Sequence, residues 1–293
     1  MIIIYTLTFF IIFLTYFLRK KQKKIKLDSN VTVLITGGCM GIGKQMCKLL
    51  AMKNCQIIVL DIRKDLADDL KKTIEEYGGR LQFYECDLSQ QDQIIKTINQ
   101  IQEPIHILIN NAGVAKLQLF TEQSFENLQL THAVNYFAPV LLTKLLIPKM
   151  EAQKFGHIVN IGSVLSIITG LKVVAYCASK HALLGFHNSL RVELKLKKSP
   201  VKCTFIAPWA INTGMFQGVK SKIDFLLPQL KEERVAIEII DAIENQKDVH
   251  SIPSFYWLLS NLVRFLPHPI ADFIVLKVQG PFIKEMIGRN QNY

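Results

Sequence analysis

Short apolar runs alternate with longer amphipathic stretches along most of the chain after residue 30. Most of the runs are rich in β-branched residues, and each has the length of a strand that is buried on both faces. The runs predict strands over Val31–Thr36, Gln56–Leu60, Leu81–Glu85, Ile105–Asn110, His157–Ile161, Lys202–Ala207 and Val249–Ser254. Because helix-length segments separate them, the pattern indicates βαβ units and a parallel sheet.

The segments between the first six runs have the apolar spacing of amphipathic helices. They predict helices over Ile42–Lys53, Asp65–Tyr77, Gln90–Gln100, Gln129–Glu151 and Tyr176–Lys197. No repeat or low-complexity tract follows residue 30, and 293 residues are few for two independent cores. We therefore expect a single α/β domain over residues 30–254.

The first eighteen residues contain no charged side chain and are followed by a run of cations. Eighteen helical residues span about 27 Å, close to the thickness of a bilayer's hydrocarbon core. A cleaved signal peptide would carry its charges before the apolar stretch and a small-residue cleavage site after it. The sequence has neither feature, so we expect a membrane-anchor helix over residues 1–18 and a basic linker over 19–29, with the remaining chain on the cytosolic side.

The formal net charge of +11 is largely a property of this linker region. Six cations lie there, which leaves only +5 on the rest of the chain: Arg19, Lys20, Lys21, Lys23, Lys24 and Lys26. A nucleic-acid-binding protein would need a wider basic surface or a known reading module. We therefore expect a membrane partner and no nucleic-acid partner.

The six cysteines are scattered and form no C-x-x-C pair. This distribution is typical of free thiols in a reducing compartment. The seven histidines also lack the spacing of metal ligands, so we expect no metal site.

A glycine-rich segment lies between the first predicted strand and the first predicted helix, with the sequence Thr36-Gly37-Gly38-Cys39-Met40-Gly41-Ile42-Gly43. Glycines let a backbone turn tightly and approach a pyrophosphate, which the N–H groups of the following helix can bind. Asp61 ends the second strand, where a carboxylate would bind the ribose hydroxyls of NAD and repel the extra phosphate of NADP. Arg63 and Lys64 are close enough in sequence to weaken that preference. The segment predicts a dinucleotide site that prefers NAD.

These residues resemble the short-chain dehydrogenase/reductase family, which has the glycine spacing T-G-x-x-x-G-x-G. The family's other motifs follow in order over roughly residues 30 to 215: Asp87, the N-N-A-G motif at 110–113, Asn135, Ser163, and Tyr176 with Lys180 as Y-x-x-x-K. The resemblance implies a Rossmann-type, doubly wound parallel sheet. It also implies an enzyme that oxidises CH–OH groups with NAD or NADP.

The resemblance further implies a catalytic set of Asn135, Ser163, Tyr176 and Lys180. Tyr176 would be the general acid/base, and Lys180, one helical turn away, would lower the tyrosine pKa from its usual value of about 10. Ser163 would hydrogen-bond the substrate oxygen. Asn135 would hold a water that connects Lys180 to solvent.

The cofactor residues are likewise implied by the family. Asp87 would contact the adenine ring, and Lys180 would bind the nicotinamide ribose. The full set is Thr36, Gly37, Gly41, Ile42, Gly43, Asp61, Asp87, Asn111, Ala112, Gly113, Tyr176, Lys180, Pro208, Ile211 and Thr213. We expect NAD to be the cofactor, with NADP less favoured.

The finer resemblance is to a membrane-associated branch that contains retinol, 17β-hydroxysteroid and lipid-droplet dehydrogenases. The N-terminal segment supports it, as does the stretch from Pro208 to Gly214, which looks like that branch's P-x-x-V-N-T-G pattern. The branch implies a lipophilic alcohol as substrate, such as a sterol, a retinoid or a long-chain alcohol. It also implies an endoplasmic reticulum membrane or lipid-droplet location, and the family is compatible with a homodimer.

The sequence after residue 214 has weaker motifs. By resemblance, residues 215–230 would form a mobile segment over the substrate. Residues 255–293 are rich in large apolar side chains and are expected to form a helical tail that contacts the membrane or, alternatively, packs on the core or a dimer partner. Two other functions stay open: an NADP-dependent reductase of ketoacyl or lipid ketones, and a catalytically silent NAD(H)-binding protein of lipid surfaces.

Overall fold

A computed structural model of the chain describes residues 24–212 and 229–279. Several predicted features lie outside the described residues. They are the anchor over 1–18, linker residues 19–23, Thr213, residues 215–228 of the segment over the substrate, and the end of the tail, 280–293.

Seven strands form one sheet, in which every neighbouring pair is parallel. They are β1 Thr32–Thr36, β2 Gln56–Asp61, β3 Arg80–Glu85, β4 Ile107–Asn110, β5 Gly156–Ile161, β6 Val201–Pro208 and β7 Val249–Ile252. Their order across the sheet is β3-β2-β1-β4-β5-β6-β7. The order reverses between β1 and β4, so the sheet is doubly wound and a crevice opens at the carboxyl ends of these strands. The strand predictions are confirmed.

Nine α-helices are described: α1 Gly41–Met52, α2 Ala67–Glu76, α3 Gln91–Gln100, α4 Phe125–His132, α5 Ala138–Ala152, α6 Val174–Leu196, α7 Glu232–Glu244, α8 Phe255–Arg264 and α9 His268–Gln279. The prediction of a helix over Gln129–Glu151 is confirmed, and the structure adds a π-helical turn, Ala133–Phe137, between α4 and α5. The prediction of apolar helices after residue 254 is confirmed by α8 and α9.

The core lies on both faces of the sheet, because successive strand residues point to opposite sides. Val33 and Ile35 pack with α1, α2 and α7, whereas Leu34 between them packs with α3 and α5. This double burial accounts for the continuous apolar runs in the sequence. All six cysteines are free and buried in the fold.

Within the described ranges, Phe125–Ala152 is the one helical stretch long and apolar enough to cross a membrane. Its last part is α5, which packs on the sheet through Leu142, Leu146 and Met150. Burial in the core therefore accounts for the apolar composition of this stretch.

The linker joins the domain at the end of α7. The Ile25 N–H donates to the Glu244 carbonyl oxygen at 2.8 Å, and the Lys53 ammonium pairs with the Glu244 carboxylate at 2.7 Å. A helix that connects two parallel strands runs back toward their amino ends. The linker therefore attaches at the amino edge of the sheet, opposite the crevice.

Candidate active site

The sheet brings the motif residues together at its carboxyl edge. Thr36, Asp61 and Asn110 are the last residues of β1, β2 and β4, and Ser163 lies two residues beyond β5. Residues that are far apart in sequence therefore surround one crevice, at the point where the strand order reverses.

The glycine-rich loop is shaped by close backbone contacts. Gly37 has a φ of +67°, and a Cβ there would lie 2.9 Å from the Cα of Ala112. A Cβ on Gly43 would lie 2.0 Å from the carbonyl oxygen of Gly37. Side chains at these two positions would force the loop apart, because neither neighbouring atom belongs to a flexible side chain.

Helix α1 begins at Gly41, directly after this turn. Met40 precedes it in an extended conformation and, within the described part of the chain, provides no side-chain cap. The first N–H groups of a helix lack intrahelical acceptors and attract anions. The loop and the start of α1 therefore fit a dinucleotide pyrophosphate, with Gly41 and Ile42 at the helix end.

The N-N-A-G motif holds this loop in place. The Thr36 hydroxyl oxygen accepts hydrogen bonds from the N–H groups of Asn111 and Ala112, both at 3.0 Å. The Asn111 amide donates to the carbonyl oxygens of Thr36 at 3.0 Å and of Gly37 at 2.9 Å. Asn111 and Ala112 are thus positioned beside the nucleotide site, and Gly113 follows them toward the crevice.

The Asp61 carboxylate is buried and fixed by two backbone donors. It accepts hydrogen bonds from the Cys39 N–H at 2.9 Å and the Arg63 N–H at 3.0 Å, one on each oxygen. Each carboxylate oxygen has a further lone pair for a ribose hydroxyl. These two backbone partners could not be identified from the sequence, since any residue type provides the same N–H.

The remaining predicted cofactor residues lie along the same edge. Asp87 is half-buried after β3, and its carboxylate accepts from the Ser89 N–H at 2.8 Å. Pro208 ends β6, and Ile211 forms an isolated bridge with Leu230. Thr213 lies outside the described residues, so its position is an expectation only.

Tyr176, Ser179 and Lys180 occupy the buried face of α6. The Lys180 ammonium donates to the carbonyl oxygen of Ile161 at 2.8 Å and lies 5.6 Å from the centroid of the Tyr176 ring. The Ser163 hydroxyl hydrogen-bonds the Tyr176 phenol, and it also accepts from the Leu165 N–H at 3.1 Å. The predicted serine, tyrosine and lysine are therefore brought together.

Burial controls the protonation of this group. Desolvation raises the pKa of Tyr176 well above its usual value, and the hydrogen bond with Ser163 opposes that change. Desolvation also lowers the pKa of Lys180 to about 8, since a buried ammonium loses its hydration. In the chain alone the loss of water around the phenol dominates the pKa of Tyr176, and the lowering effect expected of Lys180 stays a prediction.

Asn135 is fully buried at the centre of the π-helical turn. Its side-chain oxygen accepts from the Val114 N–H at 2.8 Å, and its amide donates to the Val114 carbonyl at 2.9 Å and the Ser179 hydroxyl at 3.1 Å. Ser179 in turn donates to the carbonyl oxygen of Tyr176 at 2.8 Å. These bonds connect the segment after β4 to the backbone of the candidate catalytic tyrosine.

Val114 and Ser179 were not singled out from the sequence. Val114 acts through its backbone, so its residue type carries no signal. Ser179 directly precedes Lys180 inside the Y-x-x-x-K motif, and a hydroxyl on that helix could have been recognised as a partner for Asn135.

Comparisons with known proteins identify the family of this chain. The family model for short chain dehydrogenases matches residues 31–224. The chain is 32% identical to epidermal retinol dehydrogenase 2 of Mus musculus over 251 residues, which cover 83% of this chain and 81% of that protein. It is 28% identical to 17-beta-hydroxysteroid dehydrogenase 13 of Homo sapiens, over 93% of this chain and 90% of that protein.

Solved structures show the same architecture. A short-chain dehydrogenase from Sphingobium yanoikuyae in complex with NADPH has a TM-score of 0.70 and 25% identity, and covers 80% of this chain and 93% of that chain. A short chain dehydrogenase/reductase from Burkholderia phymatum in complex with NAD has a TM-score of 0.74 and 20% identity, with coverages of 85% and 96%. This chain therefore belongs to the short chain dehydrogenase family and is an oxidoreductase of CH–OH groups that uses NAD or NADP.

Proposed function

We propose that this oxidoreductase interconverts a lipophilic alcohol and its ketone or aldehyde with NAD(H), at the surface of an endoplasmic reticulum membrane or lipid droplet. The candidate substrates are a hydroxysteroid, a retinol or a long-chain alcohol. The observation that carries the proposal is the group formed by the buried Tyr176 and Lys180 with the half-buried Ser163, which lies on the same sheet edge as the glycine-rich loop.

The chain's own residues would move the proton while bound NAD supplies the hydride acceptor. Tyr176 would take the hydroxyl proton of the alcohol as its own phenolic proton passes toward Lys180, and Ser163 would hydrogen-bond the substrate oxygen as charge develops on it. Lys180 has a pKa of about 8, so it can pass a proton onward near neutral pH. Asn135 would hold the water through which that proton leaves.

The environment of Asp61 supports NAD as the cofactor. Its carboxylate is held at the end of β2 by hydrogen bonds from the Cys39 and Arg63 N–H groups. An ionised carboxylate there can accept from the ribose hydroxyls of NAD and would repel the 2′-phosphate of NADP.

The surface of α8 supports a membrane partner. Tyr256 and Ser260 are buried against the domain, whereas the opposite side of the helix presents exposed apolar residues: Phe255, Leu258, Leu259, Leu262 and Phe265. We call these five residues the apolar face of α8. Because α8 directly follows β7, this face begins at the carboxyl edge of the sheet, where a lipid substrate would enter.

Relatives and composition favour the same substrate class. The similar proteins named above act, by their names, on a retinol and on a 17β-hydroxysteroid. The uncharged segment over residues 1–18 would hold the enzyme at the phase in which such substrates dissolve. A water-soluble substrate would give no reason for that attachment.

The test is turnover by the purified full-length protein in lipid vesicles, with a retinol, a 17β-hydroxysteroid, a long-chain alcohol and a short alcohol as substrates. We expect turnover of a lipid alcohol with NAD and a loss of about 10²- to 10⁴-fold in Tyr176→Phe, which lacks the acid/base hydroxyl. The exposed Tyr77 gives a matched control, and Tyr77→Phe should keep full activity.

Equal turnover of the short alcohol and the lipid alcohols would contradict a lipophilic substrate. Faster turnover with NADP would favour the ketone-reductase function. Intact NADH binding without turnover of any substrate would favour the silent binding protein.

A further inference from the structure

We infer that Asp65 is a specificity-determining residue, which disfavours NADP by holding the Arg63 guanidinium away from the nucleotide. The inference rests on the dinucleotide site of the proposed function. Asp61 accounts for the repulsion of a 2′-phosphate, whereas Asp65 accounts for the failure of a nearby arginine to attract one.

Arg63 lies where its side chain could bind a group on the adenosine ribose. Its N–H donates to the Asp61 carboxylate at 3.0 Å, so its backbone adjoins the group proposed to bind the ribose hydroxyls. Arginine forks bind phosphates through two parallel hydrogen bonds. An arginine two residues after the ribose-binding acid would ordinarily oppose a preference for NAD.

The Arg63 fork is already occupied by a carboxylate of the chain. Its Nε donates to one Asp65 oxygen at 2.8 Å, and its Nη2 donates to the other at 2.6 Å. The two hydrogen bonds use the same side of the guanidinium that would grip a phosphate. To bind a 2′-phosphate through that side, Arg63 would have to leave Asp65, whose charge would then be left near the phosphate.

The second cation of this turn is paired in the same way. The Lys64 ammonium lies 3.2 Å from the Glu85 carboxylate. Glu85 is the register partner of Asp61 on β3, so its charge lies beside the ribose-binding acid. Both cations that follow Asp61 therefore have an acidic partner, and neither presents an uncompensated charge to a 2′-phosphate.

Both ion pairs are partly exposed, so water and salt weaken them. An exposed pair of this kind changes an equilibrium by a factor of roughly two to five. The removal of a negative charge near the phosphate adds to this factor. We therefore expect Asp65→Asn to improve binding of a 2′-phosphorylated adenosine by about fivefold, and Glu85→Gln to have a smaller effect.

The experiment is calorimetric titration of the full-length protein in detergent with two probes, 5′-AMP and adenosine 2′,5′-bisphosphate. Asp65→Asn should bind the bisphosphate about fivefold more tightly and should leave AMP affinity unchanged. The matched control is Asp68→Asn, which removes one negative charge from an exposed position three residues away. It should change neither affinity.

Arg63→Gln in the Asp65→Asn background tests whether the gain in bisphosphate affinity depends on the arginine. This double variant should lose the whole gain in bisphosphate affinity. The ratio of kcat/KM for NADP over NAD should follow the same pattern across the variants.

Unchanged bisphosphate affinity in Asp65→Asn, with AMP still bound, would overturn the inference and leave the nucleotide site intact. An equal gain in Asp68→Asn would also overturn it, because bulk charge would then be the cause. A failure of every variant to bind AMP would overturn the proposed nucleotide site, and the role of Asp65 with it.

Discussion

Two regions of the molecule depart from the usual placement of polar and apolar residues, in opposite ways. In the catalytic group of Asn135, Tyr176 and Lys180, polar side chains are buried, with exposed fractions of 0%, 6% and 3%. On the apolar face of α8, large hydrophobic side chains are exposed, with fractions of 66% for Leu258 and 84% for Phe265. Both departures cost stability and therefore indicate function.

The two regions differ in where their partners lie. The buried polar groups are satisfied from inside the fold, through Val114, Ser179 and Ile161. In the described part of the chain, nothing buries the apolar face of α8. The chemistry of the site therefore depends on contacts within the protein, whereas the entry of the substrate depends on what covers α8.

The buried charge of Lys180 should have the largest of the effects predicted for the two regions, a pH-dependent change in the free energy of unfolding. Its pKa is about 8 in the folded chain and 10.5 when free, so between these values the unfolded chain binds more protons. The free energy of unfolding should therefore rise with pH through this window, relative to a Lys180→Met variant that cannot titrate. The expected change between pH 7 and 10.5 is about 3 kcal/mol.

Guanidinium unfolding of both proteins at several pH values measures this change, because the comparison cancels the titration of shared groups. The exposed Lys96 provides a control, since Lys96→Met makes the same substitution outside the buried group. If the difference in the free energy of unfolding between the wild type and Lys180→Met did not depend on pH, the result would contradict the destabilisation of the Lys180 ammonium by burial.

The hydrogen bonds of Asn135 give the next largest effect. Asn135→Ala would leave the buried N–H and C=O groups of Val114 without their partner and would release Ser179. We expect the free energy of unfolding to fall by about 2 kcal/mol. Chemical denaturation checks this value, and the exposed Asn99 on α3 is the control, since Asn99→Ala should cost under about 0.5 kcal/mol. Equal stability of the two variants would show that the asparagine is not needed to hold the site.

The apolar face of α8 gives the smallest effect. Leu258→Glu with Leu262→Glu should raise the KM for a vesicle-borne substrate roughly tenfold, since the two exposed leucines together contribute about 1.4 kcal/mol to membrane contact. The kcat should not change, because neither residue belongs to the catalytic group. Ile237→Glu, on α7, alters an exposed apolar residue outside this face and should leave the KM unchanged. An equal rise in the KM of Ile237→Glu and of the α8 double variant would contradict a specific contact between α8 and the lipid.

The sequence predicted the sheet well because inner strands such as β1, β4 and β5 are buried on both faces, which requires continuous apolar runs. The motif residues meet in the fold because the carboxyl ends of the parallel strands share one edge of the sheet. Helix α7 was not predicted, although its apolar pattern indicates a helix. Val235, Ile239 and Ile243 are buried at helical spacing.

Other features could not be predicted for physical reasons. The π-helical turn at Ala133–Phe137 leaves the apolar pattern unbroken, so periodicity does not reveal it. The backbone partners of Asp61 and Asn135 have no residue signature. The raised pKa of Tyr176 depends on how deeply the ring is buried, which is a property of the assembled fold.

The attachment of Ile25 to the end of α7 constrains how the enzyme can be oriented on a bilayer. With residues 1–18 in the membrane, as proposed, the chain from Leu18 to Ile25 would reach at most about 25 Å and would keep the amino edge of the sheet near the membrane surface. The apolar face of α8 begins at the opposite edge. If both touch the same bilayer, the strands must lie nearly parallel to its plane, and the crevice opens sideways along the surface. A lipid would then reach the nicotinamide by sliding laterally out of its leaflet, without crossing bulk water.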